Sequence, residues 1–342
     1  MANSAKPGKR PTIADIAKAA GVSKPTVSRV LNGHRDVAEA TRRRVQDVAA
    51  AMGYTPSADA RALRTGRRGA IGLLMPPDYW WGFGEVQYGI AREAARNGLR
   101  LLIQPPLPET PEAEEEFAKR TLPGLPVDGL ILLMPYGMLR HIGDLARSGT
   151  PVAVIDDRGY RPGIPFVETT NREGMRAMGE HLTAHGRTRI AFVTGSADAA
   201  FAQSRFEGYL DALRAAGLEY RPELVCLSQD WEPSLAEIDA VLEQGPDAVM
   251  CGWDEIAFQV LGSLHKQGRA VPDEVAVTGF DDSPIASASL PALTTVHQPL
   301  RRMGRAAVRM LVDSIEHGTA PANASVPTTL SIRESCGSHL SG

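Results

Sequence analysis

Apolar residues near the start of the chain recur with the period of an α-helix. They are Ile13, Ile16, Ala17 and Ala20 in a first segment, and Val27, Val30 and Leu31 in a second. Between these segments, Gly21 can supply the left-handed residue that ends the first helix, and Ser23 can cap the second. Lys24, Pro25 and Arg29 then share the outward face of the second helix. Two short helices, a tight glycine turn and a basic outward face predict a helix-turn-helix.

A third helix is predicted directly after this pair. Its buried stripe consists of Val45, Val48, Ala49 and Met52. Arg42, Arg43 and Arg44 are predicted to lie on its polar side. The three helices together would form a small domain around one apolar centre.

From Ala70 onward, short apolar runs alternate with helical patterns. The runs are Ile71–Met75, Leu99–Ile103, Gly129–Met134, Val152–Ile155, Ile190–Val193, Leu224–Leu227, Ala248–Cys251 and Val275–Gly279, and the helical stretches include Glu85–Asn97, Phe206–Ala216 and Asp254–Lys266. This alternation predicts an α/β fold with parallel sheets covered by helices, and the chain is long enough for two such sheets. Residues 163–170 and 294–299 are predicted to cross between them, and a helix over residues 301–315 to return.

The charge is divided unevenly between these two regions. The chain has 342 residues and a net charge of −3, yet residues 1–68 carry 14 Lys and Arg against 5 Asp and Glu. The first 68 residues therefore carry +9 and the remainder −12. A basic head on an acidic body indicates that the head binds a polyanion and that the body has another task.

The composition also argues against several classes of protein. No apolar stretch approaches the roughly 18 residues of a membrane span, and the polar, basic start predicts no signal peptide, so we expect a cytoplasmic protein. Cys226, Cys251 and Cys336 are far apart, which argues against a disulfide framework or a zinc site. No dinucleotide fingerprint or P-loop occurs, and no nucleophile accompanies the Asp pairs, so we expect no cofactor and no catalysis.

Four side chains with binding chemistry follow predicted strands of the body. Asp156 follows Val152–Ile155, Arg205 opens the helix after residues 190–195, Trp231 follows residues 224–228, and Asp281 follows residues 275–280. Ligands in such folds bind at the carboxyl ends of the strands. Charged Asp and Arg suit hydroxyl groups, and an aromatic face suits a sugar ring. Trp80 and Trp81, after the first body strand, either line the same cleft or pack in an interface.

The first 32 residues carry a recognisable signature. The stretch from Thr12 to Asn32 resembles that of the lac-repressor (LacI/GalR) family of bacterial transcription regulators, and the resemblance continues through Arg42, residues 53–56 and residues 60–63. The body is similar to the family's periplasmic-binding-protein-like doubly wound α/β body with two lobes. One departure is Ala38, where the family usually has a Ser that caps the third helix, a loss of about 1 kcal/mol.

The resemblance implies how the head binds DNA. The second helix would enter the major groove, with Lys24, Pro25 and Arg29 at the base-reading positions. The remaining candidate DNA contacts of the head, suited to phosphates, are Thr12, Ser23, Thr26, Ser28 and Asn32. The linker 57–69 would become helical on DNA. Its Leu63 would act as a minor-groove wedge, with Arg61 and Arg64 beside it.

The resemblance also assigns roles within the body. Arg205 and Asp281 lie in matching family motifs and are marked as effector-binding, with Asp156, Trp231 and Trp80 as further candidates. Trp253 stands where relatives often have Asn, which replaces an amide by a stacking surface. The predicted domains are a head (1–56), a hinge (57–69), a first lobe (70–168 and 298–324) and a second lobe (169–297 and 325–342).

These observations together predict a sequence-specific DNA-binding regulator. We expect a homodimeric repressor of carbohydrate-utilisation genes on a pseudo-palindromic operator, released by a sugar or related metabolite bound between the lobes. One alternative keeps this architecture but uses a corepressor, either a purine-like metabolite or a phosphocarrier protein. Another is a solute-binding protein retained in the cytoplasm, which the basic head argues against.

Overall fold

The protein is described by a computed structural model that covers residues 11–31, 34, 36–54, 66–75, 81–104, 110–134, 143, 149–155, 164–318 and 322–337. The chain divides into two compact units, Met1–Gly69 and Ala70–Gly342. We call them the head and the body.

The head contains three helices around one small core. Their bounds are Ile13–Ala20 (α1), Lys24–Leu31 (α2) and Glu39–Ala51 (α3). The buried residues are Ile16, Ala17, Ala20, Val27, Val30, Val45 and Ala49. Ile13, Leu31, Val48 and Met52 are partly buried at the edge of this core. The predicted apolar faces of all three helices are therefore confirmed.

Local capping fixes where the head helices begin and end. Thr12 and Asp15 form a reciprocal capping box at the start of α1, and Gly21 ends that helix with φ 63°. The Ser23 hydroxyl accepts a hydrogen bond from the Thr26 amide at 3.3 Å, as expected of a cap for α2. Ala38 precedes α3 and makes no side-chain capping bond, so the expected loss of this cap is confirmed.

The body contains two six-stranded sheets. The strands are Ala70–Leu74 (β1), Arg100–Ile103 (β2), Gly129–Leu133 (β3), Val152–Ile155 (β4), Phe166–Thr169 (β5), Ile190–Thr194 (β6), Val225–Leu227 (β7), Ala248–Cys251 (β8), Ala276–Asp281 (β9), Thr294–His297 (β10), Ala324–Val326 (β11) and Thr329–Ser331 (β12). The first sheet has the order β11-β5-β4-β3-β1-β2, and the second has the order β12-β10-β9-β8-β6-β7. All neighbouring strands are parallel except β10 and β12.

Helices separate most of these strands. They are Gly82–Arg96 (α4), Pro111–Glu116 (α5), Asn171–Ala184 (α6), Ala200–Ala215 (α7), Leu235–Leu242 (α8), Asp254–Lys266 (α9), Pro284–Ala288 (α10) and Leu300–His317 (α11), with short turns at Phe117–Thr121, Leu122–Gly124, Pro222–Leu224 and Glu334–Cys336. The apolar cores lie where these helices cover the sheets, and the central strands β3, β6 and β8 are buried along their whole length.

Each of the eight predicted apolar runs contains a strand, but two segments differ from the expectation. Residues 163–170 and 294–299 were expected only to cross between the sheets, whereas each first forms a strand, β5 and β10. Both strands have buried apolar residues, namely Phe166 and Val167 in β5 and Val296 in β10. The apolar pattern of each strand is interrupted, by Glu and Thr in β5 and by Thr and His in β10. Because β5 and β11 pair in the first sheet, the proposed lobe boundaries at 168/169 and 324/325 fall inside strands.

Two features are absent from the part of the chain that the structure describes. None of its helices is long and apolar enough to cross a membrane. Within the same residues, no group of three or more His, Cys, Asp and Glu side chains is placed to hold a metal ion.

Candidate functional site

The body contains a cavity of about 240 Å³ at the carboxyl ends of the second sheet's strands. Its lining consists of Trp81, Met134, Phe201, Arg205, Trp231, Glu232, Trp253, Glu255, Asp281 and Gln298. Parallel strands end along one edge of a sheet, so residues distant in sequence meet there. The geometry of this cavity decides which predicted residues can act together.

Arg205 and Asp281 form a buried ion pair in the wall of the cavity. The Arg205 Nη2 group donates to Asp281 Oδ1 at 3.4 Å, and both side chains are about 95% buried. The guanidinium also donates from Nε to Asn171 Oδ1 at 2.9 Å and from Nη1 to the Gly252 carbonyl at 2.6 Å. It lies 3.7 Å from the ring centroid of Phe280. Arg205 is therefore held rigidly, with its charge beside the cavity.

The position of Arg205 corrects one detail of the sequence analysis. We expected it to open its helix, but α7 begins at Ala200 and Arg205 lies in its second turn. The residue that precedes this helix, Ala199, makes no side-chain capping bond, so no capping residue at that position marks the beginning. The second turn places the side chain over the sheet edge instead of at the helix start.

Gln298 connects the ion pair to the first sheet. Its Nε2 group donates to Asp281 Oδ1 at 2.6 Å, while its Oε1 accepts from the Thr169 hydroxyl at 2.8 Å. Asp281 ends β9 of the second sheet, and Thr169 ends β5 of the first. The Gln298 side chain lies directly after β10, where the chain crosses between the sheets. The network therefore joins the two sheets at the cavity.

Asp254 is a buried residue that does not line the cavity but stabilises the loop next to Asp281. Its carboxylate accepts from the Ser283 amide at 2.7 Å and from the Thr295 hydroxyl at 2.6 Å, and the residue is fully buried. Burial, together with the nearby charge of Asp281, raises the pKa of this carboxyl well above its usual range. Asp254 therefore fixes the loop after β9.

Aromatic rings form another wall of the cavity. The ring centroids of Trp231 and Trp253 are 5.1 Å apart at an interplanar angle of 33°. Phe201 packs edge-on to Trp231 at 6.5 Å and lies 6.1 Å from Trp253. Trp253 is buried, whereas Trp231 is 40% exposed. These rings offer a broad apolar face to a ligand.

Gly195 explains how Trp231 reaches this position. A Cβ atom on Gly195 would lie 2.0 Å from the Trp231 carbonyl oxygen. The loop after β7 can therefore approach the end of β6 this closely only because position 195 is a glycine. The Ser196 amide donates to the Asp230 carbonyl at 2.7 Å and fixes the same loop. The glycine therefore determines where the Trp231 ring lies.

Two further carboxylates face the cavity. Glu255 follows Asp254 in the first turn of α9, and Glu232 follows Trp231. Burial and the nearby charge of Asp281 raise the pKa of Glu255 to about 7. Glu232 accepts from Gln259 Nε2 at 2.6 Å.

The structure brings together four of the six predicted effector residues. Arg205, Trp231, Trp253 and Asp281 line one cavity, while Asp156 and Trp80 lie outside the described residues. Five further lining residues were not predicted from the sequence: Phe201, Met134, Glu232, Glu255 and Gln298. Trp81, which was expected either to line the cleft or to pack in an interface, lines the cavity. Glu255 could have been found by the same strand-end argument, because it follows β8 by four residues.

The candidate DNA-contacting residues of α2 and the turn before it lie on the surface of the head. Ser23, Lys24, Pro25 and Arg29 are exposed, and Thr26 and Ser28 are half-buried. Arg29 Nη1 is 3.8 Å from Asp36 Oδ2, and both side chains are about 60% exposed. Such a surface ion pair is weak and leaves the guanidinium available to a base.

The other predicted DNA contacts have separate positions. Thr12 is exposed, but its hydroxyl already donates to Asp15 Oδ2 at 2.7 Å within the capping box. Asn32, Arg61, Leu63 and Arg64 lie outside the described residues.

Arg42 has a structural role that the polar-side assignment did not anticipate. Its Nη2 group donates to the His34 carbonyl at 2.7 Å, and only 19% of the side chain is exposed. The guanidinium reaches back across the turn between α2 and α3. Arg42 therefore ties the first turn of α3 to the segment that precedes it.

Two family models match the chain, one within the head and one within the body. Residues 12–57 match the bacterial regulatory proteins of the lacI family, and residues 180–336 match a periplasmic binding protein-like domain. The transcriptional regulator CelR of Thermobifida fusca is 33% identical over 96% of this chain and 98% of its own length. The chain belongs to the lacI family of bacterial regulatory proteins. It is a DNA-binding transcription regulator and not an enzyme, as the sequence indicated.

Two further similarities bear on the body of this lacI-family regulator. The HTH-type transcriptional repressor PurR of Aliivibrio fischeri strain MJ11 is 33% identical over 89% of this chain and 92% of its own length. The solved structure of a CelR–cellobiose complex is 30% identical to this chain, with a TM-score of 0.71. The similarity covers 95% of this chain and all of the chain in that structure. Both similarities extend over the head and the body.

Proposed function

We propose that this protein is a dimeric repressor of carbohydrate-utilisation genes, and that a sugar bound in the body releases it from its operator. The observation that carries the proposal is the cavity, where the Trp231 and Trp253 rings stand beside the Arg205–Asp281 pair. Indole faces suit the apolar C–H face of a sugar ring. The charged pair suits its hydroxyl groups through directed hydrogen bonds.

The volume next to the cavity favours a ligand of more than one ring. A second cavity of about 720 Å³ shares Trp81, Asp281 and Gln298 with the first. The first alone, at about 240 Å³, is below the roughly 300–1,000 Å³ of ordinary ligand pockets. Together they offer a disaccharide room, which agrees with the cellobiose bound in the CelR relative. Asp156 and Trp80 remain proposed contacts of the same ligand.

The head supports operator binding by two copies of the chain. The exposed α2 face with Lys24, Pro25 and Arg29 suits a major groove, and one such helix reads only a half-site. We therefore propose that two copies bind a near-palindromic operator as a dimer. We also propose that the protein is located in the cytoplasm. The hinge 57–69, with Arg61, Leu63 and Arg64, would insert at the operator centre, and Asn32 would contact a phosphate at the end of α2.

The same cavity supports a second candidate. An aromatic wall beside a charged pair also suits a purine base, which can stack and hydrogen-bond at once. In that case the ligand would act as a corepressor and strengthen operator binding. The sign of the ligand's effect on operator affinity separates the two candidates.

A two-stage experiment tests the proposal. The operator is first selected from random double-stranded DNA with the full-length protein. Fluorescence anisotropy then measures operator affinity with cellobiose, ribose, guanine or hypoxanthine added. We expect cellobiose to weaken operator binding by about 5–150-fold. Stronger operator binding with guanine or hypoxanthine would favour the corepressor. No response to cellobiose, to ribose or to any member of a mono- and disaccharide screen would overturn the sugar-released repressor.

A further inference from the structure

Glu255 is the least satisfied charged side chain of the effector cavity. Its Oε2 atom is buried and, among the residues that the structure describes, accepts no hydrogen bond. Buried polar groups are nearly always hydrogen-bonded, and an exception needs an explanation. The other carboxylates that line the cavity have partners, since Asp281 accepts from Arg205 and Gln298, and Glu232 accepts from Gln259.

The position of Glu255 suits a direct ligand contact. The residue lies in the first turn of α9, two positions after the Trp253 ring, and its side chain lines the cavity. The carboxylate rotates with little restriction about its last bond, so either oxygen can face a ligand. An ionised carboxylate can only accept hydrogen bonds, so its natural partner is a hydroxyl donor.

We propose that Glu255 is an effector-binding and specificity-determining residue, whose carboxylate accepts a hydrogen bond from a hydroxyl group of a neutral sugar. This inference rests on the proposed sugar-responsive function. It adds to the Arg205–Asp281 pair a contact that senses one particular hydroxyl on the ring stacked near Trp253. A sugar that lacks this hydroxyl leaves the carboxylate unpaired and binds more weakly.

The charges around Glu255 make the contact dependent on pH. Asp281 from β9 and Glu232 from the loop after β7 disfavour the ionised carboxylate, while Arg205 from α7 favours it. Asp254 on the same helix is turned toward Ser283 and Thr295. Because burial and these charges raise the pKa of Glu255 to about 7, the free protein holds a proton there at neutral pH for part of the time. A hydroxyl donor favours ionisation, so binding releases protons.

The test uses the full-length protein, with cellobiose as the probe in titration calorimetry. We expect Glu255→Gln to weaken binding about tenfold at pH 8, and the difference to shrink below about threefold at pH 5.5. At pH 7, in buffers of different ionisation enthalpy, the wild type should release up to about half a proton and the variant none. The control is Glu243→Gln, a change at the exposed residue directly after α8. This variant should match the wild type in affinity, pH dependence and proton release.

A set of singly deoxygenated cellobioses completes the experiment. One of them should lose about tenfold in affinity for the wild type but little for Glu255→Gln, which identifies the hydroxyl by a double-mutant cycle. If cellobiose binds both proteins equally and with the same pH dependence, the proposal for Glu255 is overturned while the sugar-responsive function stands. If cellobiose fails to bind the wild type, a mono- and disaccharide screen replaces it, and failure of every sugar overturns both.

Discussion

Asp281 contributes to the site from a strained backbone conformation. Its φ is 109° and that of Asp282 is 60°, in a region that favours glycine. Such conformations cost about 1–3 kcal/mol each and persist only where the surroundings hold them. Arg205 and Gln298 hold the Asp281 carboxylate, and Arg333 and Ser331 hold that of Asp282. The strain lies where the cavity needs an Asp to face Arg205.

Glu255 should destabilise the unliganded fold at neutral and alkaline pH. Its pKa of about 7 in the folded protein lies above the usual 4.5, so the folded state holds the proton longer than the unfolded state. Stability therefore falls as pH rises from about 4.5 through 7 and stays lower beyond. We expect Glu255→Gln to be more stable than the wild type by about 1–3 kcal/mol at pH 8, with little difference at pH 4.5.

Thermal unfolding of the full-length protein at both pH values checks this prediction. The gain at pH 8 should appear as a rise of about 2–4 °C in Tm for each kcal/mol. Glu243→Gln removes the same formal charge from an exposed position and controls for net charge. An equal effect of Glu255→Gln at the two pH values would show that its carboxylate is not desolvated.

At this scale the sequence predicts residues that follow strands but not those that complete a network. Arg205, Trp231 and Asp281 could be named because each follows a predicted strand. Gln298 could not, because its two partners, Thr169 and Asp281, come from different sheets. Its role depends on a crossing point whose geometry no local pattern contains.

At the scale of elements, the loops at the carboxyl ends of the strands decide the shape of the cavity, and glycines let them approach. A Cβ on Gly252 would lie 2.2 Å from the Thr194 hydroxyl oxygen, and one on Gly279 would lie 2.1 Å from Asp254 Oδ1. With Gly195, three adjacent strands of the second sheet, β6, β8 and β9, carry a close contact of this kind at or near their carboxyl ends. Glycines therefore permit the close packing at the edge of the second sheet that lines the cavity.

Gly195→Ala should displace the loop that carries Trp231. The added Cβ would meet the Trp231 backbone oxygen at 2.0 Å, and a backbone atom cannot turn aside as a flexible side chain can. Overpacking of this kind costs about 1–3 kcal/mol, so we expect lower stability and about tenfold weaker sugar binding. Titration calorimetry and tryptophan fluorescence measure the two consequences.

Gly262→Ala provides the matched control for this change. Gly262 lies inside α9, where an added Cβ meets nothing within 4 Å. Alanine is the better helix former by about 0.5–1 kcal/mol, so this variant should be slightly more stable and bind sugar normally. Normal sugar binding by Gly195→Ala would contradict the role given to its loop.

The sequence predicts most elements because their hydrophobic periods are clear, and it fails where the period is broken. β5 reads Phe-Val-Glu-Thr and β10 reads Thr-Thr-Val-His, so neither has an apolar run. Their burial comes from neighbours in the sheet, since β5 pairs with β4 and β11 and β10 pairs with β9 and β12. Tertiary pairing, not local propensity, makes these segments strands.

At the scale of the whole molecule, the division into two compact units explains the division of charge. Residues 1–68 carry +9 and the remaining residues −12, and the boundary between the units falls at Gly69. A negative body repels the DNA backbone, which confines DNA contact to the head. Separate units also predict that each function can be removed alone.

Arg29→Ala and Asp281→Asn should separate operator reading from sugar sensing. Arg29 is 60% exposed on α2. Its removal should abolish the proposed bidentate contact with a base, a loss of about 1–3 kcal/mol or roughly 5–150-fold in preference for the selected operator. The same variant should bind cellobiose with wild-type affinity. Asn at position 281 tolerates the positive φ but removes the charge that Arg205 faces, so cellobiose affinity should fall about tenfold or more.

Anisotropy with the selected operator and with a scrambled sequence measures the first variant, and calorimetry measures the second. Asp281→Asn should bind the operator as the wild type does and should no longer be released by cellobiose. Lys18→Ala, an exposed basic change on α1, controls for general loss of positive charge in the head and should weaken both DNA sequences equally. The prediction would be contradicted if Arg29→Ala abolished sugar binding or if Asp281→Asn abolished operator binding.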